Sequence, residues 1–390
     1  MLRVLRRGMR CAVVLLCAVM LAFPTGALAA TSSKIQFTDV KQGDEKNHAS
    51  DVQWLADQSI SEGWKLSNGK REFRGMENVA RADMAAFLYR LAGSPKYTPS
   101  SYIKSKFVDV TEKTPHAKEI WWLAEKGISE GFQAKVPLAS SQQYAKAIEY
   151  AKTKLGYPYF GYGDGTLEEW DCSTLINWAF NEAGIKGGPS VQHWADSYYS
   201  MSWDAYNSGT WTKDISKLKP GDLVFWSVKQ DITKSSDHVG LYIGNGKMIH
   251  ANYGAGSTGK TPEERKGGVE IRDVATYSKR NFVGGGSLFK YATEFRPYAT
   301  VARQDMAAFL HRFSQKVWNK NPAGSNKLVF TDVKKGDTTN HAADVEWLAA
   351  NGVSTGWKNK SGKYEFRGLQ PVARQDMAAF LHRLATNVKK

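Results

Sequence analysis

Three stretches of this chain are versions of one another, and the middle one is interrupted. The first halves are FTDVKQGDEKNHASDVQWLADQSISEGW from Phe37, FVDVTEKTPHAKEIWWLAEKGISEGF from Phe107 and FTDVKKGDTTNHAADVEWLAANGVSTGW from Phe330. The second halves are EFRGMENVARADMAAFLYRL from Glu72, EFRPYATVARQDMAAFLHRF from Glu294 and EFRGLQPVARQDMAAFLHRL from Glu365. Seven residues separate the halves in the outer copies (65–71 and 358–364), and 161 residues (133–293) separate them in the middle copy. The chain is therefore expected to be a repeat of about 55 residues, present three times, with a guest domain inside the second. Insertion of that kind needs an exposed loop in the host and neighbouring ends in the guest.

Each repeat reads as a helical hairpin, so the host is expected to be all-α. Met84, Phe87, Leu88 and Leu91 fall at i, i+3, i+4 and i+7, one face of a helix, and the pattern recurs from Met306 and from Met377. One hairpin cannot bury its apolar face alone, so the copies must pack together. The expected boundaries are 31–92 for the first repeat, 107–132 plus 294–315 for the split second and 330–386 for the third. His48, His116, His311, His341 and His382 occupy repeat positions and read as structural.

The start of the chain bears on compartment. Arg3, Arg6, Arg7 and Arg10 precede an apolar run from Cys11 to Phe23, and Ala27-Leu28-Ala29 fits a cleavage site. Residues 1–30 thus read as an export signal, too short to span a bilayer. Its removal takes four arginines from a formal charge of +15, leaving +11, which favours anionic partners such as wall polymers. No nucleic-acid motif or dense basic tract accompanies that charge. Cys11 and Cys17 leave with the signal, so Cys172 has no partner within the mature chain. An odd thiol in an exported protein implies an intermolecular disulfide or a reactive nucleophile.

The guest segment, 133–293, changes character. Gln143–Leu155 and Cys172–Ala183 read as helices, followed by strands at Asp222–Ser227, His238–Ile243, Lys247–Asn252, Gly268–Arg272 and Phe282–Val283. Helices followed by a strand meander give an α+β domain. Cys172 opens a helix, where free backbone N–H groups and the helix dipole favour a thiolate. Such a nucleophile needs a base and the base an orienter. His238 and His250 lie in DHVGLYIGNGKMIHAN around an Asn245-Gly246 turn. A two-residue loop pairing Gly244 with Lys247 would put the two histidines on opposite faces. A three-residue loop pairing Ile243 with Lys247 puts them on one face, and Val239, Leu241, Ile243, Ile249 and Ala251 on the other. The apolar pattern favours the longer loop, with Gly246 as the left-handed residue of a bulge.

The guest resembles NlpC-type cell-wall cysteine peptidases, which are papain-like. Pro158-Tyr159, Asp171-Cys172-Ser173, GDLVF from Gly221, HVGLYIGNGKMIHA from His238 and FVGGG from Phe282 carry the resemblance. It implies N-terminal helices packed on a small antiparallel barrel or sheet. It implies Cys172 as nucleophile, His238 as general base, His250 as orienter and Tyr159 near the thiol, assisting the oxyanion. Asp171 and Ser173 would bind substrate. The family cleaves peptidoglycan stem peptides, often between D-glutamate and the diamino acid, with no cofactor and no metal. The sequence departs from the family at Thr174, where glycine is usual, at Gly161-Tyr162-Gly163, and in GGPSVQHW from Gly187, which lacks an arginine often found there.

The repeats resemble S-layer homology modules, which attach proteins to secondary cell-wall polymers. Their Thr-Arg-Ala-Glu signature stands here as Ala80-Arg81-Ala82-Asp83, Ala302-Arg303-Gln304-Asp305 and Ala373-Arg374-Gln375-Asp376. By resemblance, Arg81, Arg303 and Arg374 contact an anionic glycan; local ion pairing is the alternative. A secreted, wall-associated peptidoglycan endopeptidase of a Gram-positive bacterium is the resulting expectation, with no membrane span in its mature form and no nucleic-acid partner. Rival readings are a non-catalytic stem-peptide binder, an N-acetylmuramoyl-L-alanine amidase, a Cys-His-His zinc site, and Asn252 in place of His250. His193 reads as structural, while Tyr198, Tyr199, Trp203, Tyr206 and Trp211 grip sugar faces or belong to the core.

Overall fold

The computed structural model describes residues 35–159, 170–186, 205–227, 238–253, 267–277, 281–337 and 340–389. The expected export signal lies outside them, as do His193, Tyr198, Tyr199, Trp203, the Gly161-Tyr162-Gly163 stretch and Gly187–Trp194.

The first repeat holds helix α1 (Ala49–Asp57), strands β1 (Trp64–Lys65) and β2 (Arg71–Glu72), and helix α2 (Arg81–Leu91). A single helical turn, α3 (Ser101–Lys104), follows. The second repeat holds α4 (Ala117–Glu125), β3 (Phe132–Pro137) and, after the guest domain, β9 (Phe289–Glu294) and α7 (Arg303–Val317). The third holds α8 (Ala342–Ala350), β10 (Trp357–Lys358), β11 (Tyr364–Glu365) and α9 (Arg374–Asn387). The all-α expectation is therefore corrected: a two-stranded ribbon stands between the helices of every copy. Two-residue strands are too short to print an alternation in the sequence.

The ribbons explain how the guest is carried. Trp64 pairs with Glu72 and Trp357 with Glu365, and each ribbon then closes in a short turn. At the same place in the second copy Phe132 pairs with Glu294, but the ladder continues to Pro137 and Phe289 before opening into the guest. The aspartate of each opening motif locks the two halves together. Asp39 accepts the Phe73 and Arg74 amides at 2.8 and 2.6 Å, and Asp332 accepts those of Phe366 and Arg367 at 2.7 and 2.6 Å. Asp109 does the same for Phe295 and Arg296 at 2.8 and 2.7 Å, across the whole insertion.

The three copies close on one another in cyclic order. α1 packs on α9, α4 on α2, and α8 on α7, around one apolar core containing Leu55, Leu88, Ile120, Leu310, Leu348 and Leu381. Ala80, Ala302 and Ala373 give α2, α7 and α9 no side-chain cap. Carbonyls of a neighbouring copy take the first amides instead: Arg81 N–H donates to Ala299, Arg303 N–H to Gln370 and Arg374 N–H to Glu77.

The repeat arginines, expected at an anionic glycan or in local ion pairs, lie between the copies. Arg81, Arg303 and Arg374 are all nearly buried, at 3–4 % exposure. Each donates its Nε–H to a carbonyl of another copy: Phe295, Phe366 and Phe73 respectively. Each also meets an aspartate of that copy, Asp305 at 3.5 Å, Asp376 at 3.2 Å and Asp83 at 3.6 Å. Aromatic rings stack on the guanidinium groups, as Trp64 does on Arg374 at 4.0 Å and Trp357 on Arg303 at 3.9 Å. Burial drives all three pKa values down to about 10, against the raising effect of the aspartates. These side chains tie copy to copy, and almost none of their surface is presented to a glycan.

In the guest, helices α5 (Ser141–Lys152) and α6 (Cys172–Glu182) precede strands β4 (Leu223–Ser227), β5 (His238–Gly244), β6 (Lys247–Tyr253), β7 (Gly267–Asp273) and β8 (Asn281–Gly286). These strands form one antiparallel sheet in the order β7-β6-β5-β4-β8, open rather than closed into a barrel among the described residues. α6 packs on β5 and β6. Leu223, Phe225, Val239, Leu241, Ile249, Ala251 and Val269 join the α5–α6 core, while Val224, Trp226, Tyr242 and Met248 form a smaller cluster on the other face. Trp211 stacks on Phe225 and belongs with the packing of the domain, while Tyr206 meets Trp211 edge-on and stays exposed.

Candidate active site

The β5–β6 hairpin sets the geometry. Asn245 and Gly246 both have positive φ (54° and 72°) and form a two-residue turn pairing Gly244 with Lys247. The three-residue loop expected from the sequence is thus corrected. The register then shifts between Tyr242 and Gly244, and beyond it Tyr242 pairs with Met248 and Leu241 with Ile249. The bulge sits one step inside the strand instead of in the turn, and it has the consequence sought from the apolar pattern: His238 and His250 share a face. Nε2 of His238 lies 2.8 Å from Nδ1 of His250.

Aromatic rings enclose this pair. Tyr277 stacks on His238, with centroids 5.2 Å apart, and meets His250 edge-on at 4.4 Å; Trp226 tilts against His238 at 5.9 Å. Both histidines are buried, His250 completely. Desolvation lowers the His250 pKa to about 4, opposed by Glu270 and assisted by Arg272. His250 is therefore neutral at pH 7 and carries one ring proton. Glu270, its cross-strand partner on β7, brings Oε1 to 3.6 Å from Nε2.

Cys172 is the first residue of α6 and is buried within the α5–α6 core. Asp171 caps the helix: its Oδ1 accepts the Ser173 and Thr174 amides at 2.8 Å each and the Ser173 hydroxyl at 2.7 Å. Thr174 returns its Oγ1 to the Asp171 amide at 3.0 Å, completing a capping box. The unusual threonine thus has a local cause. Asp171 and Ser173, expected at the substrate, are both buried and bonded to each other in this cap. What they orient is the backbone that carries the sulfur.

Backbone bridges bring the helix start to one end of the sheet. Trp170 pairs with Tyr159, Pro158 with Gly268, and Gly268 with Asn252 at the finish of β6. Trp226, beside the first residue of β5, pairs with His238 at that same end. The Tyr159 ring packs against the core that includes Cys172. The imidazole pair faces the Trp226–Tyr277 side of the sheet, and α6 covers the other.

Sequence reasoning missed Glu270, Asn252 as a partner of Glu270 (Nδ2 to Oε1, 2.8 Å), and Tyr277, whose hydroxyl donates to Asn252 Oδ1 at 3.0 Å. Finding them requires the register of β7 on β6, which the β5–β6 turn does not supply.

Residues 156–273 match the family model described as NlpC/P60 family. Curated relatives include a gamma-DL-glutamyl hydrolase of Bacillus subtilis, 32% identical over 31% of this chain and 28% of its own length. The peptidoglycan endopeptidase RipB of Mycobacterium tuberculosis is 28% identical over 34% of this chain and 54% of its own. The bifunctional muramidase/DL-endopeptidase CwlT of Bacillus subtilis is 30% identical over 30% and 32%. The matches thus span between about a quarter and about half of these relatives' lengths. Over residues 156–273, the chain carries an NlpC/P60 domain.

Proposed function

We propose that the protein is an exported peptidoglycan hydrolase, a cysteine endopeptidase acting on stem peptides. The observation that carries this reading is the 2.8 Å imidazole pair on β5 and β6, at the end of the sheet to which backbone bridges bring Cys172 at the start of α6. In the proposed mechanism, Nδ1 of His238 takes the Cys172 proton, because Nε2 is turned to His250. The thiolate adds to the stem-peptide carbonyl, and the His238 imidazolium protonates the leaving amine. Water, deprotonated by His238, then hydrolyses the thioester. The Cys172 amide is a suitable oxyanion donor, and loss of one such donor costs roughly 3–4 kcal/mol. Tyr159 serves the same region. The reading requires the Cys172 sulfur, on the α6 side, to reach His238 around the sheet's end where β5 starts.

The names of the relatives, a gamma-DL-glutamyl hydrolase and a DL-endopeptidase, support the D-glutamyl–diamino acid bond as the one cleaved. We further propose that the repeats hold an anionic wall polymer, through surfaces other than the three buried arginines. The basic composition and the S-layer resemblance support this part.

Purified peptidoglycan incubated with the protein should release new amino groups, and Cys172→Ala should abolish the release. Unchanged release by the variant would overturn the reading. A protein that binds peptidoglycan but frees no amine would favour the stem-peptide binder. Mass spectrometry of the fragments separates endopeptidase from amidase cleavage.

A further inference from the structure

We propose that Glu270 is a positioning residue for the base, holding the His250 proton on Nε2 so that Nδ1 accepts from His238. This rests on the cysteine-peptidase reading.

The bond between the two rings has two possible senses. Either His238 Nε2–H donates to His250 Nδ1, or His250 Nδ1–H donates to His238 Nε2. Only the first suits the mechanism. When His238 takes the thiol proton on Nδ1, it becomes an imidazolium with hydrogen on both nitrogens. Its Nε2–H then needs a lone pair opposite, so His250 must carry its single proton on Nε2. In the other sense two N–H groups would face each other across 2.8 Å, opposing protonation of the base.

Within the described residues, the His250 Nε2 atom is fully buried and has no hydrogen-bond partner. The Glu270 carboxylate, 3.6 Å away, is too far for a hydrogen bond but close enough to favour the N–H over the lone pair on that nitrogen. The carboxylate is itself fixed from two sides. Asn252 donates to Oε1 at 2.8 Å, and Arg272 meets Oε2 at 2.9 Å. Tyr277 in turn holds Asn252. The groups around His250 are thus His238 on β5, Glu270 and Arg272 on β7, and the Asn252–Tyr277 pair. Among the described residues, only Glu270 offers a negative charge to Nε2.

The test combines nitrogen-15 NMR of labelled histidines with kinetics on a soluble stem peptide. In the unmodified protein, His250 should show the Nε2-protonated pattern. Glu270→Gln, which keeps the shape, should shift that pattern towards a tautomer mixture and lower kcat/KM about tenfold or more, mostly in kcat, while Glu270→Asp restores part of the loss. Far-UV circular dichroism checks that each variant folds. An unchanged tautomer, or kcat/KM within twofold of the parent, overturns the proposal. Activity surviving in Cys172→Ala would instead overturn the underlying peptidase reading, and the NMR result stands independently of activity.

Discussion

His238 and His250 meet through Nε2 and Nδ1 at 2.8 Å, although they stand twelve positions apart and the turn alone would set them back to back. The bulge between Tyr242 and Gly244 makes the meeting possible. Deleting Ile243 should remove the extra residue and leave a regular ladder in which Gly244 still pairs with Lys247 and Tyr242 with Met248, so that the two rings stay on one face. Activity within about tenfold of the parent, in a protein that still gives a folded circular dichroism spectrum, is expected. A loss beyond a hundredfold would mean that the bulge does more than set the register.

Acid should weaken the fold through His250. Its folded pKa is lowered to about 4 from 6.5, so between these values the unfolded chain binds more protons. Stability contributed here is present above about pH 6.5 and is lost as pH falls towards 4, by up to about 3 kcal/mol. Urea midpoints at pH 7 and pH 5 measure it. His250→Asn should flatten the difference between the two midpoints.

A thiol mechanism and a metal mechanism respond oppositely to two reagents. Iodoacetamide should abolish hydrolysis, and EDTA should leave it unchanged. The reverse pattern would point to a zinc site built on the same three residues.

The capping role of Asp171 separates charge from hydrogen bonding. Asp171→Ala should cost about 1 kcal/mol of stability, while Asp171→Asn, an equally good cap, should cost little. Both are read by thermal denaturation. If the alanine variant kept full stability and lost only affinity for stem peptide, Asp171 would be a substrate ligand.

The repeat arginines allow a similar distinction. Arg303→Ala leaves Asp376 without its buried partner, and breaking such a pair costs about 3–5 kcal/mol. A fall in the unfolding midpoint is expected, even for Arg303→Lys, because lysine cannot reproduce the fork over Trp357. A variant with an unchanged midpoint that no longer binds cell walls would restore the glycan contact.

Much of this architecture was legible in the chain. The strands of the guest follow from alternation and turn residues, and their ends lie within one residue of those observed, except that the last strand runs on to Gly286. The shared face of His238 and His250 followed from the apolar pattern, although the turn was assigned one residue too many. The paired ribbons were not legible, because two residues carry no period. The roles of Arg81, Arg303 and Arg374 were carried over from a resemblance, and a motif does not say whether its side chain points out or into a neighbouring copy. Asp171 stood where a helix cap belongs, but the NlpC resemblance drew it towards substrate. Glu270 gave no signal because its meaning depends on a strand pairing.

The β3–β9 ladder makes the catalytic unit a detachable passenger. The outer copies close the corresponding ribbon with a few turn residues, so the host does not need the passenger in order to complete its ring. Evolution, or an engineer, can exchange the cargo at Pro137 and Phe289 while the carrier stays the same.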